Sequence, residues 1–329
     1  MTERTLTGWG RTAPSRADVL PAFDPEAVER AMSAAAAEPG GGRGLLARGL
    51  GRSYGDAAQN AGGVVLDTTA LDGVRRADLE RGEVTVGAGT SLQTLMARFV
   101  PEGWFVPVTP GTRQVTVGGA VAADVHGKNH HVDGSFCQHV SEMQLVTPTG
   151  RATVSPEADA ELFWATAGGM GLTGLVTEAT VRLLPVETSY ILVDTDRAPD
   201  LDAAMDLMVT GDDAYRYSVA WIDCQAGGAR LGRSVLTRGD HARMDDLPRR
   251  LRGERARAFS GRQLVRVPVT PPSGLLNRLT IAAFNEAVFR RAPTHEVGRP
   301  TPLTAFFHPL DAVGEWNRLY GRRGFVQYQ

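Results

Sequence analysis

Short apolar runs broken by Gly, Asp and Pro fill the first part of the chain, interrupted by a few stretches of helical period. Residues 25–37 read as a helix that ends in the E-P-G-G-G-R-G break at 38–44. Residues 45–48, 63–67 and 82–87 read as strands. Thr90 suits the cap of a helix over 91–100, where Leu92, Leu95, Met96 and Phe99 share one face. Strands at 140–147 and 175–184 flank a short helix at 159–167.

After Pro185 the glycine-rich turns give way to aromatic-bearing strands at 190–193 and 215–223. The change predicts a boundary near residue 187, with one domain over 1–187 and a second over 188–329. Residues 271–293 carry Leu275, Leu276, Leu279, Ile281, Phe284, Val288 and Phe289 among Arg278, Arg290 and Arg291. Two readings fit this stretch: an ordinary core helix, or an amphipathic lid or interfacial segment.

Composition narrows the function classes. A 329-residue chain with net charge −2 and a pI near 6.4 lacks the basic excess of a nucleic-acid binder. Arginines still crowd residues 230–266, either as a solvated face or as a surface for anionic lipid or phosphate. Cys137 and Cys224 have no C-x-x-C spacing and read as two buried free thiols. The N-terminus lacks an apolar signal core, and no apolar run reaches the roughly 20 residues that span a bilayer. A soluble protein, with scope for peripheral membrane contact, is expected.

Three glycine clusters carry the chemistry. The first, Arg48 to Asp56, follows an apolar strand and includes Gly49, Leu50, Gly51, Arg52, Ser53, Tyr54 and Gly55. Successive N–H groups free of Cβ clashes suit a phosphate or pyrophosphate. A dinucleotide fingerprint of the Rossmann type fails here, because the following S-Y-G-D-A-A-Q-N-A-G-G forms a loop where that motif needs a helix. The second, residues 110–131, combines Gly118, Gly119 and small alanines with D-V-H-G-K-N-H-H, so a flat ligand can approach the backbone. His126 and His130 invite a metal reading, but Gly127 and Asn129 disfavour a regular helix and no H-E-x-x-H glutamate is present. The third, A-G-G-M-G-L-T-G-L-V at 167–176, reads either as a turn or as part of the same site. Lys128 stands in the second block as the sole lysine among 35 basic residues. Together the clusters point to a long nucleotide cofactor.

The order of these blocks resembles the FAD-binding domain of the vanillyl-alcohol oxidase and p-cresol methylhydroxylase superfamily. Within it, the strings G-L-G-R-S-Y-G-D, T-P-G-T-R-Q-V-T-V-G-G-A, D-V-H-G-K-N-H-H, E-L-F-W-A-T-A-G-G and F-F-H-P-L-D-A-V-G-E-W-N-R resemble the decaprenylphosphoryl-β-D-ribose 2-oxidase family of actinobacterial cell-wall arabinan synthesis. The resemblance implies an α+β fold, with a two-subdomain FAD-binding domain of the p-cresol methylhydroxylase type before an incomplete antiparallel-sheet substrate domain. It implies FAD held without a covalent bond, since residues 47–57 contain no histidine.

By the same resemblance, residues 47–57 wrap the pyrophosphate. Gly111, Thr112, Thr116, Val117, Gly118 and Gly119, then Ala123, Asp124, His126, Gly127 and Asn129, line the ribityl chain and isoalloxazine, and Val176 adds a backbone contact. His126, Lys128 and Tyr54 are the implied catalytic groups, and Lys128, Trp221, Tyr320, Gln327 and Gln329 face the substrate. The implied partners are a polyprenyl-phosphate sugar as substrate and a 2-keto reductase that completes the epimerisation, with no nucleic acid. The implied location is cytoplasmic or membrane-peripheral, with the periplasmic face also open. The family continues past the equivalent of Gln329 with the rest of the substrate domain, a pocket cysteine and a catalytic lysine, and neither Cys137 nor Cys224 replaces that cysteine. Two rivals stay open: a sugar or aldonolactone oxidase of the same superfamily, and an inactive FAD-binding fragment.

Overall fold

The computed structural model describes residues 2–37 and 42–327. The first sheet holds β1 (Thr2–Leu6), β2 (Ser15–Pro21), β3 (Leu45–Arg48) and β4 (Val64–Asp67) in the order β1-β2-β4-β3. β2 and β3 both run parallel to β4, so β3 and β4 need a crossover rather than a hairpin, and the first glycine cluster is that connection. Helix α1 (Pro25–Ala36) starts where Asp24 accepts from Ala27 N–H at 2.6 Å, with proline in its first turn. Its Val28 is fully buried with Leu66, Leu71, Val146 and Leu175, which wedges α1 between the first and second sheets.

The second sheet holds β5 (Val74–Asp78), β6 (Glu83–Gly87), β8 (Val140–Thr147), β9 (Gly150–Val154) and β10 (Leu175–Arg182), antiparallel throughout in the order β5-β6-β10-β8-β9. A two-residue strand β7 (Trp104–Phe105) pairs with β11 (Leu184–Pro185), so the strand expected over 175–184 breaks after Arg182. Strict alternation turns Leu175, Thr177, Ala179 and Val181 of β10 inward. Helix α2 (Leu92–Phe99) buries Leu92, Leu95, Met96 and Phe99 against this sheet, each contributing about 1.5–3 kcal/mol. Its cap is Ser91, which accepts from Thr94 N–H at 3.0 Å. Thr90, the expected cap, is buried and accepts instead from Gly73 N–H at 2.9 Å. Short helices α3 (Val117–Ala122), α4 (His130–Asp133) and α5 (Ala160–Thr166) complete this half.

The third sheet holds β12 (Tyr190–Ala198), β13 (Tyr217–Ile222), β14 (Ser234–His241) and β16 (His295–Pro302), antiparallel in the order β13-β14-β12-β16. β12 runs five residues beyond its expected end at Val193, because Thr195, Asp196 and Ala198 are buried in register with β14. α6 (Leu201–Gly211) follows β12, and β15 (Val265–Arg266) pairs in parallel with β17 (Val313–Gly314).

The segment expected over 271–293 forms α7 (Arg278–Arg291), and its core-helix reading is overturned. Asn285 is its one buried residue, while Leu279 is 82% and Phe284 61% exposed. Polar contacts hold it: Asn285 donates to Asp223 at 2.6 Å, and buried Arg233 bridges Asp223 and Glu286. Cys224 is exposed rather than buried, because it lies just past the end of β13; Cys137 is buried as expected.

A compact set of contacts joins the halves. Thr112 Oγ1 donates to Asp311 at 2.6 Å, and Arg113 N–H reaches the same carboxylate at 2.9 Å. The Arg113 guanidinium, 2% exposed, lies 3.3 Å from it and also donates to Gly261 O and Gln93. Close by, Thr109 and His308, just past α8 (Leu303–Phe307), share a buried hydrogen bond of 2.8 Å. Replacing Asp311 with Ala strands the buried Arg113 charge, so thermal or urea unfolding should show a loss of about 3–5 kcal/mol. A loss under about 1 kcal/mol would mean the pair is not the tie between the halves.

Candidate active site

The first glycine cluster leaves β3 and stays a loop, as the failed dinucleotide motif requires. Among the described residues, none of the N–H groups from Gly49 to Asp56 donates to another backbone group. The loop is held from outside. Arg48 donates to Ala58 O at 2.7 Å and Thr7 O at 2.8 Å, so its charge braces the loop. Trp9 N–H donates to Ser53 O at 2.7 Å and Gly10 N–H to Tyr54 O at 3.0 Å. A methyl on Gly8 would lie 1.9 Å from Gly55 O, so only glycine admits this approach. Arg52 donates to Gln114 O at 3.1 Å and stacks 3.9 Å from the centre of the Trp9 ring.

The second cluster meets the first directly. Thr116 caps α3, its hydroxyl accepting from Gly119 N–H at 3.1 Å, and that hydroxyl would sit 2.4 Å from a Cβ on Gly49. Gly118 N–H donates to Ala88 O at 2.8 Å. The third cluster then closes on the second, with Gly168 N–H on Val121 O at 3.0 Å and Met170 N–H on Ala122 O at 2.9 Å. Between the three lies a narrow groove of about 70 Å³. Ala47 and Gly49 line one wall, Gly118, Gly119 and Ala122 a second, and Met170, Gly171, Gly174 and Val176 a third. Of the third wall, Val176 is expected by residue, and Met170, Gly171 and Gly174 fall in the third glycine cluster, which the sequence leaves open between a turn and part of the site. Free donors in the first loop and walls without bulky side chains fit a dinucleotide such as FAD.

Several of the expected cofactor residues have their side chains committed to protein partners. Thr112 holds Asp311, as above. The Asp124 carboxylate accepts from Ser135 Oγ at 2.7 Å and Cys137 N–H at 2.9 Å, at a residue whose φ is +38°. Asn129 is buried and donates to Pro107 O at 2.9 Å and to Asp133 at 2.5 Å. These three can offer a ligand only their backbone. Val117 is a core residue, whereas Gly111, Ala123 and His126 are exposed and Gly127 half-buried.

The catalytic candidates fall in two groups. His126 precedes α4, with its ring 6.2 Å from that of His130. Lys128 reaches across to the second half: its Nζ donates to Phe306 O and lies 4.5 Å from the centre of the Phe306 ring, and its carbonyl accepts from Ser218 N–H at 2.9 Å. Burial without a carboxylate partner pushes its pKa down to about 8. Trp221 shares a face of β13 with Tyr217, which packs edge-on against Phe306 and Phe307 at 6.1 and 4.9 Å. Lys128 and Trp221 therefore border the same side of the third sheet.

Tyr54 belongs to an aromatic cluster, 5.4 Å from Phe325 and 6.4 Å from Trp316, with Tyr320 4.2 Å from Phe325. Burial, with Tyr320 and Asp311 nearby, raises the Tyr54 phenol above its usual range. Gln327 is exposed, and Gln329 lies outside the described residues.

Known proteins place this architecture. Residues 18–155 match the FAD binding domain family. Across its whole length the chain is 47% identical to decaprenylphosphoryl-β-D-ribose oxidase of Mycolicibacterium smegmatis, covering 71% of that protein. It is 39% identical over 67% of its length to an uncharacterized protein of Streptomyces coelicolor, covering 62% of that chain. The fold also resembles alkyldihydroxyacetonephosphate synthase, with a TM-score of 0.59 at 14% identity over 71% of this chain and 48% of that one. The chain is thus a flavoprotein oxidoreductase with an FAD-binding domain. It belongs to the decaprenylphosphoryl-β-D-ribose oxidase family.

The seam between the clusters is testable. Gly49→Val drives a branched side chain into Thr116, so flavin occupancy read from visible absorbance should fall about tenfold or more. Full occupancy in a folded variant would show that the groove is not the FAD site.

Proposed function

We propose that this chain oxidises the 2-hydroxyl of a polyprenylphosphoryl ribose to a ketone, for a 2-keto reductase to consume. The observation that supports it is the 47% identity to a decaprenylphosphoryl-β-D-ribose oxidase, which extends through the groove and the third sheet alike. Bound FAD supplies the hydride acceptor for C2. His126, exposed where the second cluster ends, takes the hydroxyl proton as general base. Lys128 holds ribose or phosphate oxygens by charge-assisted hydrogen bonds, and Trp221 walls the same side. Tyr54, packed with Trp316 and Phe325, borders the first loop on the substrate side.

FAD is bound without a covalent link: Arg52 and Tyr54 stand in the first loop and no histidine does. Acid precipitation should therefore release the yellow colour into the supernatant. The exposed apolar side chains of residues 264–284, set among arginines, form a surface suited to the membrane that stores a polyprenyl substrate. Among the described residues, no helix is long and apolar enough to cross that membrane.

The test is anaerobic bleaching of the flavin bands by farnesylphosphoryl ribose, with no bleaching by polyols or aldonolactones. Bleaching by the lactones alone would assign a sugar or lactone oxidase, and a stable yellow chain bleached by neither would be an inactive one. Lys128→Met should raise KM about tenfold and leave the flavin spectrum unchanged. Because protonated Lys128 is the binding form, KM of the unmodified chain should rise as pH passes about 8. That rise should vanish in Lys128→Met.

A further inference from the structure

His308 closes a ring of contacts around Lys128. It is 2% exposed, and its Nε2 lies 2.8 Å from Thr109 Oγ1 across the joint between the halves. We propose that His308 is a positioning residue for substrate binding: it holds α8 and the loop bearing Lys128 in the register that aims the Lys128 ammonium. This rests on the oxidase reading for the identity of the substrate, but not for the placement of Lys128 itself.

The ring runs through both halves. On one side Phe306, two residues before His308, accepts one N–H of the Lys128 ammonium on its carbonyl, and its ring centre lies 4.5 Å from Nζ. That carbonyl belongs to the last turn of α8, where helix carbonyls lack helical partners. On the other side Thr109 packs against the Lys128 loop: a methyl on Gly127 would lie 3.0 Å from Thr109 O. Asn129 ties the loop to the same stretch by donating to Pro107 O at 2.9 Å. Gly127 and Asn129 flank Lys128, so the stretch ending at Thr109 sets its backbone and Phe306 its ammonium. His308 links the two. An ammonium has three N–H bonds, so with one fixed on Phe306 O the other two point in set directions.

A neutral imidazole suits this place. Nδ1 of His308 has no hydrogen-bond partner among the described residues, so a proton there would be a buried donor left unmet. The proton therefore sits on Nε2 and donates to Thr109, whose own hydroxyl can turn to Pro110 O at 3.4 Å. Burial, then the Arg113 and Lys128 charges, hold His308 well below the usual histidine range. Asp311, whose N–H donates to His308 O at 3.1 Å, is already paired with Arg113. His308 thus closes the ring without adding a third cation.

The experiment uses the FAD-loaded full chain and three variants: His308→Phe, Thr109→Val and His308→Gln, whose amide can still donate to Thr109. Flavin occupancy follows folding, and KM and kcat are measured with farnesylphosphoryl ribose. Lysine labelled with carbon-13 at Cε gives one resonance to titrate, since the chain holds one lysine. His308→Phe and Thr109→Val should keep FAD and raise KM about tenfold with kcat within about twofold. In both, the Lys128 midpoint should move up from about 8 toward that of an exposed lysine. His308→Gln should leave KM within about twofold and the midpoint in place. An unchanged KM and midpoint in the two disruptive variants, or flavin lost from both, would overturn the positioning role. If no phosphoryl ribose is oxidised yet the midpoint depends on His308, the oxidase reading fails and the positioning of Lys128 stands.

Discussion

One buried carboxylate, Asp311, sets how the halves of this molecule meet. It receives the Thr112 hydroxyl, the Arg113 N–H and the Arg113 guanidinium, all from the turn that precedes the α3 part of the second glycine cluster. A buried guanidinium without its counter-charge is costly, so the turn and the segment bearing Asp311 are held as one unit. Thr116 to Gly119 follow immediately, and the backbone of Gly118 and Gly119 forms a wall of the FAD groove. The placement of the third sheet is thereby written into the geometry of the cofactor site.

The groove itself depends on close approach of backbones. Gly49 meets Thr116, Gly118 meets Ala88, and Gly8 meets Gly55, each too close for an unstrained Cβ. Such contacts carry little energy of their own. They work because the side chains that brace them point outward: Arg48 to Thr7 and Ala58, Asp124 to Ser135 and Cys137, Asn129 to Pro107 and Asp133. The chain places its polar side chains around the groove as scaffolding and leaves backbone to face the ligand. The catalytic candidates are the exceptions, with His126 exposed and Lys128 spanning to the second half.

Much of this is legible in the amino-acid sequence wherever the signal is local. Strands Leu45–Arg48 and Val140–Thr147 begin and end where apolar runs meet glycine or turn residues. The face of α2 follows from its period, and the first glycine loop from the failure of a helix to follow it. Thr90 and Ser91 can both cap, and only the tertiary demand of Gly73 for the Thr90 hydroxyl decides between them. Thr112 reads as a cofactor residue because it sits in a glycine-rich string, yet its partner lies 199 residues away. The stretch over 278–291 reads as apolar enough for a core, but buried Asn285 and Arg233 turn it outward. Long-range polar pairing has no period along the chain, so it stays invisible there.

The solitary lysine has a practical meaning as well. Within these 329 residues every positive side chain other than Lys128 is a guanidinium, so Lys128 is the one side-chain amine that amine-directed reagents meet here. Burial that lowers its pKa to about 8 leaves a larger uncharged fraction than an exposed lysine has at the same pH. Acylation or a fluorine-bearing tag at that one nitrogen therefore gives a spectroscopic reporter at the joint between flavin half and third sheet, without a single mutation.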